Sequence, residues 1–245
     1  TRDRFHGNPA GVVPDAKGLT DEQMLSIARE LNNSETAFIF EADSPDYDIE
    51  VRFFTPTTEV PICGHATIAA HYVRAKETHM EGGTVVQKTK AGILPVDVVR
   101  TPNDYSITMT QGTPAISAPF GDAVRERIAD ALGIAHEEIC REYPVAVAST
   151  GHSKVMVPLY SNELLHGLQP DLQKLTKISK QIECNGYYAF TLNPQNRILV
   201  HGRMFAPAIG IAEDPVTGNA NGPLGAYLVH FNILQDEDAR CFDFD

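Results

Sequence analysis

Three residues have types and settings suited to moving a proton: Glu35, His65 and Asp214. Glu35 opens Ser34-Glu35-Thr36-Ala37-Phe38-Ile39-Phe40, where apolar neighbours could desolvate the carboxylate and raise its pKa toward the ~6 to 7 that suits a general base at neutral pH. A solvated glutamate at a strand edge is the plainer alternative. His65 follows Gly64 in Cys63-Gly-His-Ala-Thr67, placed to orient a substrate or relay a proton, or simply to cap a helix through its backbone. Asp214, in Glu213-Asp-Pro-Val-Thr-Gly-Asn-Ala220, is either a second carboxylate of the same site or the pivot of an Asx turn. Cys63 has no thiol at the matching position, Thr217, and by itself reads as a buried small apolar residue.

Gly64 and Gly218 stand where a loop becomes a helix, each followed by an imidazole or a small polar residue, His65 and Asn219. The unpaired N–H groups and the dipole of a helix start attract anions, and glycine lets a ligand approach the backbone. Two such starts facing one cleft would hold carboxylates and stabilise the charge that develops when a neighbouring carbon loses a proton. The alternative is two ordinary loop-to-helix transitions with glycine as N-cap.

The elements that must position these residues come in two ordered sets. A helix is predicted over 20–32, with Thr20 and Gln23 as a capping box and Met24, Ile27, Ala28 and Leu31 on one face. Strands over 34–40 and 47–53 follow, then a breaker-rich loop over 55–63, then a buried helix from Gly64 to Val73. A β-rich stretch near 84–111 and a helix near 123–132, stopped by Gly133, lead into the second set. Gly151-His-Ser-Lys-Val-Met-Val157 echoes Gly7-Asn-Pro-Ala-Gly-Val-Val13 at an offset of 144 residues, and a helix over 171–183 precedes Asn185-Gly-Tyr-Tyr-Ala-Phe190. Arg203-Met-Phe-Ala-Pro207 echoes Arg52-Phe-Phe-Thr-Pro56, and the Gly218 loop echoes the Gly64 loop at an offset of 154. On this alignment Glu35 faces Gly186, so one half alone carries the carboxylate. The pattern predicts a duplicated α/β unit, with domains 1–115 and 116–245 joined near 112–122 and a cleft between them as the default site. A solenoid, with its period of ~20 to 50 residues, is excluded.

Composition narrows the partners. The 245 residues are 42% hydrophobic, and 32 acidic against 20 basic residues give a net charge of −12, the wrong sign for nucleic acid or an anionic membrane. Apolar runs fall short of the ~18 to 20 residues of a membrane helix, and a cytoplasmic protein is expected. The four cysteines are scattered without a C-x-x-C, and the nine histidines lack H-E-x-x-H spacing, so neither a disulfide framework nor a metal is expected; Cys63-x-His65 is a weak metal signal. No G-x-G-x-x-G after a strand, no G-x-x-x-x-G-K-[ST] and no G-x-S-x-G occurs.

Gly7-Asn-Pro-Ala-Gly11, Ser34-Glu-Thr-Ala-Phe38, Arg52-Phe-Phe-Thr-Pro56, Cys63-Gly-His-Ala-Thr67 and Glu213-Asp-Pro-Val-Thr-Gly-Asn-Ala220, in this order, resemble the PhzF-like phenazine-biosynthesis family. The resemblance implies an α+β, diaminopimelate-epimerase-like fold: two pseudo-symmetric domains, each a mixed β-barrel around a central helix. It also implies a cofactor-independent isomerase of a small carboxylated substrate, in which one glutamate takes a proton from carbon and returns it elsewhere. Glu35 matches that glutamate, and His65 and Asp214 match the histidine and aspartate of the motifs. Asn8, Gly64, Gly218 and Asn219 match the substrate-holding positions. The two-thiol racemases of the wider fold are matched at Cys63 only. A cysteine-assisted racemase and a non-catalytic binding protein with the same cleft stand as alternatives, and a homodimer is plausible by resemblance. Family members begin a strand earlier and continue past the second central helix, here 218–231, so the chain is expected to be partial.

Overall fold

The computed structural model describes residues 7–184, 186–192, 199–214, 217–234 and 243–244. The chain divides into two compact units, Thr1–Thr110 and Gln111–Asp245. The first contains β1 (Gly11–Val13), α1 (Asp21–Leu31), β2 (Thr36–Glu41), β3 (Ile49–Phe54), β4 (Glu59–Val60), α2 (Gly64–Thr78), β5 (Gly83–Thr89), β6 (Gly92–Arg100) and β7 (Tyr105–Met109). Its sheet runs β1-β2-β3-β5-β6-β7 with β4 on β3. The β1–β2 and β3–β5 pairs are parallel and the others antiparallel.

Helix α2 touches β1 and β2 near one end of this path and β6 and β7 at the other. A sheet whose two edges reach one helix has to curl around it, giving an open barrel with α2 at its centre. The side of α2 turned inward is built of small residues, Ala66, Ala70 and Ala75, all fully buried against Ala37, Val51, Phe53, Val85 and Val98. Side chains alternate across a strand, so the outer face carries a second cluster in which Met24 and Ala28 of α1 cover Phe38 and Phe54. Helix α1 starts as predicted: Thr20 Oγ1 accepts from Gln23 N at 3.3 Å while Gln23 Oε1 accepts from Thr20 N at 2.9 Å.

The second unit contains β8 (Ala115–Ile116), α3 (Asp122–Leu132), β9 (Ala146–Ser149), β10 (Lys154–Pro158), α4 (Asn162–Gly167), α5 (Leu172–Ile182), β11 (Tyr187–Leu192), β12 (Leu199–Ala206), β13 (Ile211–Asp214), α6 (Gly218–His230) and β14 (Asp243–Phe244). Its sheet runs β13-β12-β11-β10-β9-β8, with β14 beside β12. One face packs on α6 through Ala148, Met156, Tyr188, Phe190 and Met204. The other, through Val155, Val157, Tyr187, Ala189 and Phe205, packs on α3 and α5.

The run β1-α1-β2-β3-β4-α2 thus returns as β10-α5-β11-β12-β13-α6, with α4 inserted. The first strand pair is parallel in both units, with Gly11 opposite Thr36 and Val155 opposite Tyr187. Strand β14 joins β12 in parallel as β5 joins β3. Asn185, Pro215 and Val216, which belong to the echoed motifs, lie outside the described residues. Among the described residues, no helix is long and apolar enough to cross a membrane.

Candidate active site

Glu35 immediately precedes β2, where its carbonyl accepts from Gly11 N at 3.1 Å and joins the parallel ladder. His65 is the second residue of α2. Its Nε2 lies 3.5 Å from Glu35 Oε2 and 3.3 Å from Ser34 Oγ, and Ser34 Oγ donates to Asn8 Oδ1 at 3.4 Å. On the other side of the ring, His65 Nδ1 faces Cys63 Sγ at 3.4 Å. With the Ser34 proton given to Asn8, Nε2–H donates to Ser34 Oγ, and Nδ1 is left to accept from the thiol. The structure therefore brings Asn8, Glu35, Gly64 and His65 together at one end of the first sheet.

The glutamate and histidine side chains are 15% and 19% exposed, shielded yet open to a small molecule. Glu35 Oε2 is buried and, among the described residues, accepts no hydrogen bond. A carboxylate oxygen held this way is uncommon, because buried acceptors are normally satisfied. Cys63, the N-cap of α2, is extended at φ −144° and supplies no side-chain cap, so the first amides of α2 are not spent on it. Cys63 is also buried in the core of the first unit, as its small apolar character predicts.

In the second unit Asp214 ends β13 opposite Met204, and Gly218 and Asn219 begin α6. Thr217 is the N-cap, again without a side-chain cap, and among the described residues its buried Oγ1 has no hydrogen-bond partner. Gln111 fixes this helix start: its Nε2 donates to Gly218 O at 3.0 Å, and Gly222 leaves the space its amide fills, since a Cβ there would collide with it. Tyr188 adds a bond from its hydroxyl to Asn221 Oδ1 at 2.6 Å.

The equivalence between the units extends to single bonds. Val155 N donates to Gly186 O at 2.8 Å as Gly11 N does to Glu35 O, and Asn221 N bonds Thr217 O at 3.1 Å as Thr67 N bonds Cys63 O at 3.0 Å. Gly186 is forced to be glycine, because a Cβ would sit 2.7 Å from Phe205 O. The second unit has no room for a counterpart of Glu35.

Sequence reasoning left three features unassigned. Arg52 grips Glu59 with Nε and an Nη, each at 2.8 Å, and Arg203 grips Glu213 at 2.7 and 2.9 Å. Each guanidinium also lies over a phenylalanine, Phe54 or Phe205, at 5.2 and 5.1 Å. These pairs tie the third strand of each set to the strand that leads into the central helix. Their signal was the joint recurrence of Arg52/Arg203 and Glu59/Glu213 in the echoes. The third is Lys154, 2% exposed, whose Nζ donates to Ser153 O at 3.3 Å. Burial pushes this ammonium below its ordinary pKa against the attraction of Cys184 and Asp214. A lysine sharing the parity of Met156 in Ser153-Lys-Val-Met-Val157 was its signal.

The phenazine biosynthesis-like protein family model, PhzC-PhzF, matches residues 1–243. The chain belongs to this family. It is 57% identical over 244 residues to an uncharacterized isomerase of Clostridium acetobutylicum, covering 99% of this chain and 79% of that protein. It is 51% identical over 234 residues to the uncharacterized isomerase YddE of Escherichia coli, covering 96% and 78%. A PhzF-family crystal structure from Bacillus anthracis superposes with a TM-score of 0.82 at 33% identity, covering 94% of this chain and 77% of that one. The chain is an isomerase of the PhzF family, and its α+β fold is the epimerase-like one that the motifs imply.

Proposed function

We propose that this PhzF-family enzyme shifts a proton between carbons of a small carboxylated substrate without a cofactor. Glu35 acts first as general base and then as acid. The buried Oε2 of Glu35, with no hydrogen bond among the described residues, carries the reading: it is an acceptor kept available for a proton that a substrate brings. His65 Nε2, 3.5 Å away, steadies the carboxylate when it is charged. Asp214 is assigned the assisting role in the second unit, beside the field of Lys154. Asn8, Gly64, Gly218 and Asn219 are assigned to substrate binding, with the helix starts stabilising the anion formed on loss of the carbon-bound proton.

The test is mass-spectrometric deuterium uptake from D₂O into a panel of small amino and hydroxy acids, dihydro-hydroxyanthranilate included. Glu35→Gln is expected to lower exchange by roughly 10²- to 10⁴-fold, and an unchanged rate removes Glu35 from the mechanism. A cysteine-assisted epimerisation is the second reading, favoured by Cys63 Sγ at 3.4 Å from His65 Nδ1. It predicts that Cys63→Ser abolishes exchange, whereas the glutamate mechanism predicts that exchange persists. Reduced thiols at Cys63, Cys140 and Cys184 suit the cytoplasmic location included in this proposal.

A further inference from the structure

We propose that Glu35, Cys63 and His65 form a binding site for a thiophilic divalent cation, zinc above all, whose occupancy switches the isomerase off. One ligand atom from each of the three residues, a carboxylate oxygen, a sulfur and an imidazole nitrogen, lies within 4.8 Å of the other two. Tetrahedral zinc, with Zn–S about 2.3 Å and Zn–N and Zn–O about 2.0–2.2 Å, spaces its ligands about 3.3–3.6 Å apart. Cys63 Sγ already stands 3.4 Å from His65 Nδ1, while the 3.5 Å approach of Glu35 Oε2 is to Nε2 on the other side of the ring. The three ligand atoms lie within 4.8 Å of one another, so reaching tetrahedral spacing takes side-chain adjustment of about 1 Å.

The donor set selects the metal. Sulfur and imidazole suit zinc, while magnesium and calcium call for oxygen ligands throughout. On binding, the Cys63 thiol loses its proton to solvent, and a thiolate with a carboxylate then balances the two charges of the ion. They also offset the partial positive charge of the α2 start. The imidazole gives one nitrogen to the metal and keeps the other for hydrogen bonding, with Ser34 Oγ at 3.3 Å from Nε2 as an outer partner. Three protein ligands leave the fourth position to water. The spacing of Cys63 and His65 alone is a poor metal signal; the fold adds Glu35 from the start of β2.

Binding is independent of the reaction, whereas inhibition rests on Glu35 being the base, since a carboxylate committed to a metal cannot take a proton. The experiment titrates the whole protein with cobalt(II) as a spectroscopic stand-in and then with zinc. One equivalent of cobalt is expected to produce a thiolate-to-metal charge-transfer absorption that zinc displaces. Cys63→Ser should abolish the band, and the near-isosteric Glu35→Gln should weaken binding ~10-fold or more. No band in the native protein, or a band that survives Cys63→Ser, overturns the site and leaves the Glu35 reading untouched. In the second arm, zinc is expected to suppress native deuterium exchange at least ~10-fold, reversibly with a chelator. A cobalt band together with zinc-insensitive exchange upholds the site and overturns both the switch and Glu35 as base.

Discussion

Glu35 and Gly186 hold the same backbone position in the two units, and the difference between them decides which unit carries a carboxylate there. Gly186→Ala places a Cβ 2.7 Å from Phe205 O, an overpacking that should cost about 1–3 kcal/mol and be read as a lower urea midpoint. The bond from Val155 N to Gly186 O, at 2.8 Å, gives the Gly186 backbone little freedom to retreat from β12. Glu35 and His65 were legible because a carboxylate at a helix-to-strand junction and an imidazole after a helix-opening glycine are local patterns. Ser34 was not, since its role is to bridge Asn8 and His65, residues from two other segments. Lys154 escaped for a related reason: two of the groups around it, Cys184 and Asp214, come from segments far along the chain.

At the scale of elements, the arginine–glutamate clamps position the loops that precede the central helices. Arg203 bonds Glu213 through two nitrogens and also donates to the carbonyls of Leu165 and Leu168 at 3.0 Å each. Lysine cannot reproduce that fork, so Arg203→Lys should cost about 1–3 kcal/mol, seen as a drop in thermal midpoint. In the first unit, Arg52 reaches Glu59 of β4 and also Asp21 of α1 at 2.8 Å, so one side chain ties three elements. Helix α1 depends on its capping box as well. Thr20→Ala removes the acceptor for Gln23 N and should destabilise by about 1 kcal/mol, measurable as a shifted urea midpoint with unchanged slope. The helices were readable in sequence through caps and 3.6-residue periodicity. Strand order was not, because the β3–β5 pairing spans α2 and is set by the curl of the sheet around it.

For the molecule as a whole, acid sensitivity is built into both units. His71 on α2 is 1% exposed, and burial pushes its pKa below the ordinary value of 6.5, only partly opposed by its bond to Gln87 at 3.0 Å. Burial lowers His152 in the second unit in the same way. The unfolded chain takes up protons near pH 6.5 that the folded chain refuses until lower pH, so stability falls as pH drops through that value. Each group contributes at most about 1.4 kcal/mol per pH unit. Asp104, held at about 2 chiefly by the Tyr72 hydroxyl, stays ionised over this range and adds little to the slope. Urea midpoints between pH 7.5 and 5.0 should decline, and His71→Gln should flatten the decline for the first unit.

The collision between a Gly186 Cβ and the Phe205 carbonyl also gives the duplication a direction. One substitution could strip the first unit of its carboxylate and leave the two repeats alike at this position. The reverse path is blocked, since a side chain at Gly186 has nowhere to go until β12 moves. The asymmetry behaves as a ratchet: this scaffold can lose the carboxylate it has in one step, but cannot in a single step acquire a second one in mirror position.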